Sequence, residues 1–150
     1  PWAAMCLTVY MLCSAGGMVL GGFLAADAAR CERVVAACFA VAACTALSLG
    51  LAQLPAVLGP VAFAVMGFAS GTAGPSRDLI VKRATPENAS GRVFGVVYSG
   101  LDIGQALAPL VFGPLMDHHQ YRGLWLGLAA AQGLLIASAF RVQRVRRTLA

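Results

Sequence analysis

WAAMCLTVYMLCSAGGMVLGGFLAA, residues 2–26, contains no charged side chain. A helix of roughly 20 residues, rising about 1.5 Å per residue, crosses a hydrocarbon layer about 30 Å thick, so this run is long enough to span a bilayer. It exceeds the apolar core of a secretory signal and has no basic region in front of it, so it reads as a crossing.

Four further apolar runs follow, at about 34–54, 56–75, 93–116 and 123–140. A short charged turn, residues 27–33, separates the first two. The composition agrees: 59% of residues are hydrophobic and 11% charged, with a mean hydropathy of +0.77, whereas soluble domains use roughly 25% charged residues. No soluble fold of this length hides so much apolar surface. The fold class read from the sequence is all-α: a polytopic bundle of five membrane-spanning helices within one partial domain, residues 1–150.

Threading the five runs through a membrane sorts the eleven Lys and Arg residues. Arg30, Arg33, Arg77, Lys82, Arg83, Arg92, Arg141, Arg144, Arg146 and Arg147 fall on one side, and Arg122 alone on the other. By the positive-inside rule the crowded side is cytoplasmic, so the chain ends there after an odd number of crossings. Trp2, Tyr121 and Trp125 then lie near the outer interface, where amphipathic rings favour the headgroup region. Net charge is +5, but the basic residues are spread over short segments at membrane level. Contact with anionic headgroups accounts for them, and nucleic acid is not an expected partner.

The stretch Ser76-Arg77-Asp78-Leu79-Ile80-Val81-Lys82-Arg83 sets apolar residues against basic ones when drawn as a helix. It is expected to form a short interfacial helix on the cytoplasmic surface. Arg77, Asp78 and Arg92 make up the cytoplasmic charged loop.

The fourth run carries the chemistry. Asp102 lies near the middle of an otherwise apolar crossing, where translocon scales put the cost of a carboxylate at about 2.5–3.5 kcal/mol, so it should meet a cavity or a partner. Tyr98, Asp102 and Gln105 are spaced i, i+4, i+7 and share one helical stripe. Gly100 and Gly104 form a Gly-x-x-x-Gly pair on the other side, a surface suited to close helix packing. Pro109 removes the donor to the carbonyl of Gln105 and leaves an acceptor free beside the polar stripe. Two readings of Asp102 stay open: a group in a substrate or proton pathway, or a structural hydrogen bond to a neighbouring helix, for instance to Tyr10 or Ser14.

In the first run Tyr10, Ser14, Gly17 and Gly21 form a similar stripe, a plausible second cavity wall. The second and fifth runs have only Gln53 and Gln132 as notably polar members. They are expected on the lipid-facing outside.

Other chemistry is sparse. Cys6, Cys13, Cys31, Cys38 and Cys44 include no Cys-x-x-Cys pair and lie mostly inside spans, so they read as small packing residues. His118 and His119 read as a solvated loop pair. No metal cluster, paired carboxylates or Ser/His or Cys/His constellation appears at membrane depth, so neither an enzyme nor a cofactor is expected.

The run GPSRDLIVKRATPENASGRVFGVVYSGLDIGQALAPLVFGPLMD, residues 74–117, resembles the tenth to eleventh helix region of major facilitator superfamily transporters. Within that superfamily it is most similar to bacterial inner-membrane exporters of the fosmidomycin-resistance type. The resemblance extends over nearly the whole chain and implies helices eight to twelve of a twelve-helix carrier, a fragment of the carboxy-terminal half. It further implies alternating access by two six-helix halves, driven by proton exchange, with a small organic molecule or drug as cargo. The partners so implied are the lipid bilayer, the amino-terminal half, the substrate and protons. The first, third and fourth runs would surround the cavity, with the second and fifth outside.

The family's cytoplasmic signature, Gly-x-x-x-Asp-Arg followed by basic residues, aligns on Gly22 to Asp27. Here the sequence departs from the pattern: Ala26 stands where the signature Asp is expected, Asp27 takes the Arg position, and Arg30 and Arg33 keep the later basic positions. The competing functional class is a membrane-embedded scaffold or interaction protein that transports nothing. Full enclosure of Asp102 by this chain's own helices would favour it.

Overall fold

Positions along the first and third helices advance together: Tyr10 lies against Gly67, Ser14 against Gly71, Gly17 against Phe68 and Thr72, and Gly21 against Thr72. The two helices are therefore parallel, as two crossings separated by one return must be. The computed structural model describes residues 2–26, 28–51 and 56–148, with the side chains of 28, 29, 56, 87 and 137–148 outside the description. Asp27, Gln53 and the side chains of Arg141, Arg144, Arg146 and Arg147 thus lie outside the described residues.

Among the described residues the fold has five long helices: α1 Trp2–Leu24, α2 Ala28–Leu51, α3 Gly59–Ala84, α4 Ser90–Asp117 and α5 Tyr121–Thr148. Short 3₁₀ turns at Ala56–Leu58 and Glu87–Ala89 precede α3 and α4. There is no strand among the described residues. Among the described residues, three stretches are long and apolar enough to cross a membrane on their own composition: Trp2–Leu24, Arg30–Leu51 and Ser90–Asp117. Glycine, serine, threonine and proline dilute the apolar content of α3.

Successive helices alternate in direction. Gly50, late in α2, lies against Trp125 early in α5, and Phe63 early in α3 meets the same Trp125 edge-on at 6.0 Å. Leu115 and Phe112 of α4 lie against Gly123 and Gly127 of α5, an antiparallel hairpin. This alternation gathers Arg30, Arg33, Arg77, Lys82, Arg83 and Arg92 at one end of the bundle and leaves Arg122 at the other.

Packing is inverted relative to a soluble protein. The buried apolar residues are small ones, Cys31, Ala42, Ala43, Ala46, Ala62, Ala69, Ala73 and Ala129, while Phe23 and Leu134 are 76% and 72% exposed. Water would drive the large side chains inward. Lipid does not, and helices then associate through small residues that let backbones approach. The α1–α3 seam is the clearest case. Each helix contributes a Gly-x-x-x-Gly pair: Gly17 and Gly21 admit the backbone of Phe68 and Thr72, and a Cβ on Gly21 would stand 2.5 Å from the Thr72 carbonyl oxygen. Gly67 and Gly71 abut the carbonyl oxygens of Tyr10 and Ser14, the close approach that Cα–H···O contacts require.

The structure departs from the sequence expectation in three places. Residues 76–84 continue α3 without a break past Pro75, so the expected interfacial helix is the last turns of a spanning helix. Pro75 is tolerated because only the carbonyl four residues back loses its donor. Second, α2 is not peripheral in this chain: it packs against both α3 and α5, because Ala42 and Ala46 give it a small-residue face that outweighs its lack of a polar stripe. Third, α5 runs on to Thr148, carrying the basic tail as helix.

α4 stands apart. None of its residues is buried, and it meets α5 chiefly near its own C-terminal end. That end closes tightly: Gln120 N–H donates to the Leu115 carbonyl at 2.8 Å and His118 N–H to that of Pro114 at 3.0 Å. His119 turns the chain at φ 55°, the left-handed position that commonly follows a helix.

Candidate functional site

Tyr98, Asp102 and Gln105 all lie exposed on α4. Of the three, Tyr98 reaches another helix. Its hydroxyl donates to Asp78 Oδ2 on α3 at 3.2 Å, and Phe94, one turn earlier, stacks against its ring at 6.1 Å with 23° between the planes. The opposite carboxylate oxygen of Asp78 accepts from Arg77 Nε at 3.2 Å and Nη2 at 3.1 Å. Asp78 is therefore held on both sides, at the end of the bundle where the basic residues collect. Arg77 and Asp78 are 38% and 41% exposed, so solvent screens the pair and its Coulombic worth is modest. Its value is positional: it aims one oxygen at Tyr98.

Tyr98 shares its stripe with Asp102 and Gln105, so this bond turns the polar stripe of α4 toward the open flank of α3. Asp102, one turn deeper, has no hydrogen-bond partner among the described residues. Helix α1 does not supply one: no Cα of α1 lies within 8 Å of α4 among the described residues. The reading of Asp102 as a structural hydrogen bond to Tyr10 or Ser14 therefore fails within this chain. Nor is Asp102 enclosed, as the scaffold alternative would have it.

Tyr10 and Ser14 instead belong to the α1–α3 seam, where their carbonyl oxygens meet Gly67 and Gly71. Tyr10 also lines a small cavity with Cys38, Ser70 and Gln132. Gly17 and Gly21, read as cavity wall, are buried packing residues. Conversely, Gly100 and Gly104 have nothing within 4 Å of where a side chain would begin, so their face is open in this chain. Gly22 is likewise open, and Arg30, Arg33 and Arg92 are exposed. His119 Nδ1 and the Tyr121 hydroxyl share a hydrogen bond of 3.1 Å at the far end.

Two features escaped the sequence. The Gly67-x-x-x-Gly71 pair carried a visible spacing that matches Gly17 and Gly21. The Tyr98–Asp78 contact spans twenty positions and had no local signal.

The family model of the Major Facilitator Superfamily matches residues 3–149. The chain belongs to the Major Facilitator Superfamily. No curated protein and no solved structure matches it. As a superfamily member it is a multi-pass membrane protein of a transporter family, and the inverted packing of its side chains is the physical counterpart of that membership. Its superfamily setting also gives α4 a context: a spanning helix with an ionisable residue and no enclosed face.

Proposed function

We propose that the chain forms helices eight to twelve of a proton-coupled major facilitator carrier that exports a small organic molecule or drug. In this reading Asp102 exchanges the proton or meets a cationic part of the substrate, with Tyr98 and Gln105 beside it. The carrier sits in the bacterial inner membrane with the chain's C-terminus in the cytoplasm.

One observation supports this most. An ionisable residue lies exposed at the middle of a spanning helix none of whose residues is buried, and hydrocarbon against it costs about 2.5–3.5 kcal/mol. Water or polar surface must therefore lie on that side, as it does where two halves of a carrier enclose a pathway. The Tyr98–Asp78 bond adds a tie between α3 and α4 at the same end as the basic residues, suited to holding the two helices together as the halves rock.

The test uses inverted membrane vesicles of the assembled carrier, energised to hold a pH gradient. Small organic cations and neutral drugs are added and gradient loss is read from acridine orange fluorescence. Compounds that dissipate the gradient with the native protein should do nothing with Asp102→Asn inserted at equal amount. An unchanged response in the variant removes Asp102 from the mechanism.

A further inference from the structure

A second polar site lies away from α4, where α1, α2, α3 and α5 meet; Ser70 on its rim is exposed, and Tyr10, Cys38, Met66 and Gln132 are half-buried. Gln132 of α5 points its Oε1 inward, shielded and without a hydrogen-bond partner among the described residues. It lines a cavity of about 80 Å³ together with Tyr10, Ser70, Cys38 and Met66, among others. All these residues lie well inside their helices: Tyr10, for example, is about 12 Å along α1 from Trp2 at 1.5 Å per residue. The position is therefore deep in the membrane, where a buried acceptor without a donor bears its full desolvation cost.

The chemistry of the lining selects the occupant. Gln132 Oε1 needs a donor. The Tyr10 and Ser70 hydroxyls can each donate or accept, depending on how they rotate. An anion cannot donate to the amide oxygen, and a metal ion would find no carboxylate. Drug-sized ligands need pockets of roughly 300 Å³ or more. A water needs only roughly 10–15 Å³ and two to four polar partners, so the space admits a small cluster. We infer that this cavity is a hydration site at membrane depth, with water donating to the shielded Gln132 Oε1 and shared with the Tyr10 hydroxyl and, at the rim, with that of Ser70. The fifth helix then joins the α1–α3 core through water at this depth instead of through direct polar contact.

Millisecond radiolytic hydroxyl-radical labelling of the native chain in lipid nanodiscs, in H₂¹⁸O, tests this directly. Radicals form from water where it lies, so Met66 and Tyr10 should take up ¹⁸O although they lie at membrane depth, away from the aqueous phases. Gln132→Leu should cut that uptake severalfold and lower Tm, because it takes a hydrogen-bond partner from the water. No labelling of Met66 and Tyr10 in the native chain overturns the inference, whether or not the variant folds. So does a Gln132→Leu variant with higher Tm and unaltered labelling, the behaviour of an acceptor buried dry.

Discussion

The Tyr98 hydroxyl on α4 lies 3.2 Å from Asp78 Oδ2 on α3, a side-chain hydrogen bond that ties the polar stripe of α4 to its neighbour. Because Arg77 holds the other oxygen of Asp78, the carboxylate is fixed before Tyr98 meets it. The bond is half-exposed, so its net worth should fall near the low end for a charged acceptor. A double-mutant cycle of Tyr98→Phe and Asp78→Ala, read by thermal unfolding in detergent, should give a coupling of about 0.5–1.5 kcal/mol. A coupling indistinguishable from zero means the two groups do not interact.

Glycine substitutions should split by seam. Gly71→Ala drives a methyl group into the Ser14 carbonyl and should destabilise the chain by about 1–3 kcal/mol, since backbone cannot give way as a side-chain tip does. Gly100→Ala meets open space and gains helix propensity, so in this chain it should be neutral or stabilising by up to about 1 kcal/mol. Comparable losses at both positions would show that α4 packs through Gly100 after all.

At the α4–α5 turn, His119 holds a left-handed backbone at φ 55°. Glycine adopts that conformation without the Cβ conflict. His119→Gly should exceed His119→Ala in stability by about 1 kcal/mol, both variants having lost the contact with Tyr121. Equal melting temperatures would remove the strain.

What was legible in the sequence follows from which forces are local. Apolar run length and Lys/Arg asymmetry are read residue by residue, so the helices and the one-sided distribution of charge could be placed before any contact was known. The end of the third span could not, because amphipathic residues 76–83 suit an interfacial helix and a continued one equally, and Pro75 looked like a boundary. The setting of α2 was missed because polarity was used to rank helices, whereas in lipid Ala42 and Ala46 matter more than the absence of a polar stripe. At the site, the stripe of Tyr98, Asp102 and Gln105 followed from helical spacing alone. That Tyr98 reaches Asp78, and that Tyr10 and Ser14 serve the α1–α3 seam, depended on how helices distant in sequence are set against one another.

The central claim is that Asp102 faces water at mid-membrane. Asp102→Cys, placed in the carrier with the native cysteines replaced, measures this through its rate of reaction with a charged, membrane-impermeant methanethiosulfonate compared with a lipid-soluble maleimide. Rapid modification by the charged reagent, slowed by a transported compound, is the expected result. Reaction with the lipid-soluble reagent alone would place position 102 against acyl chains and contradict the account.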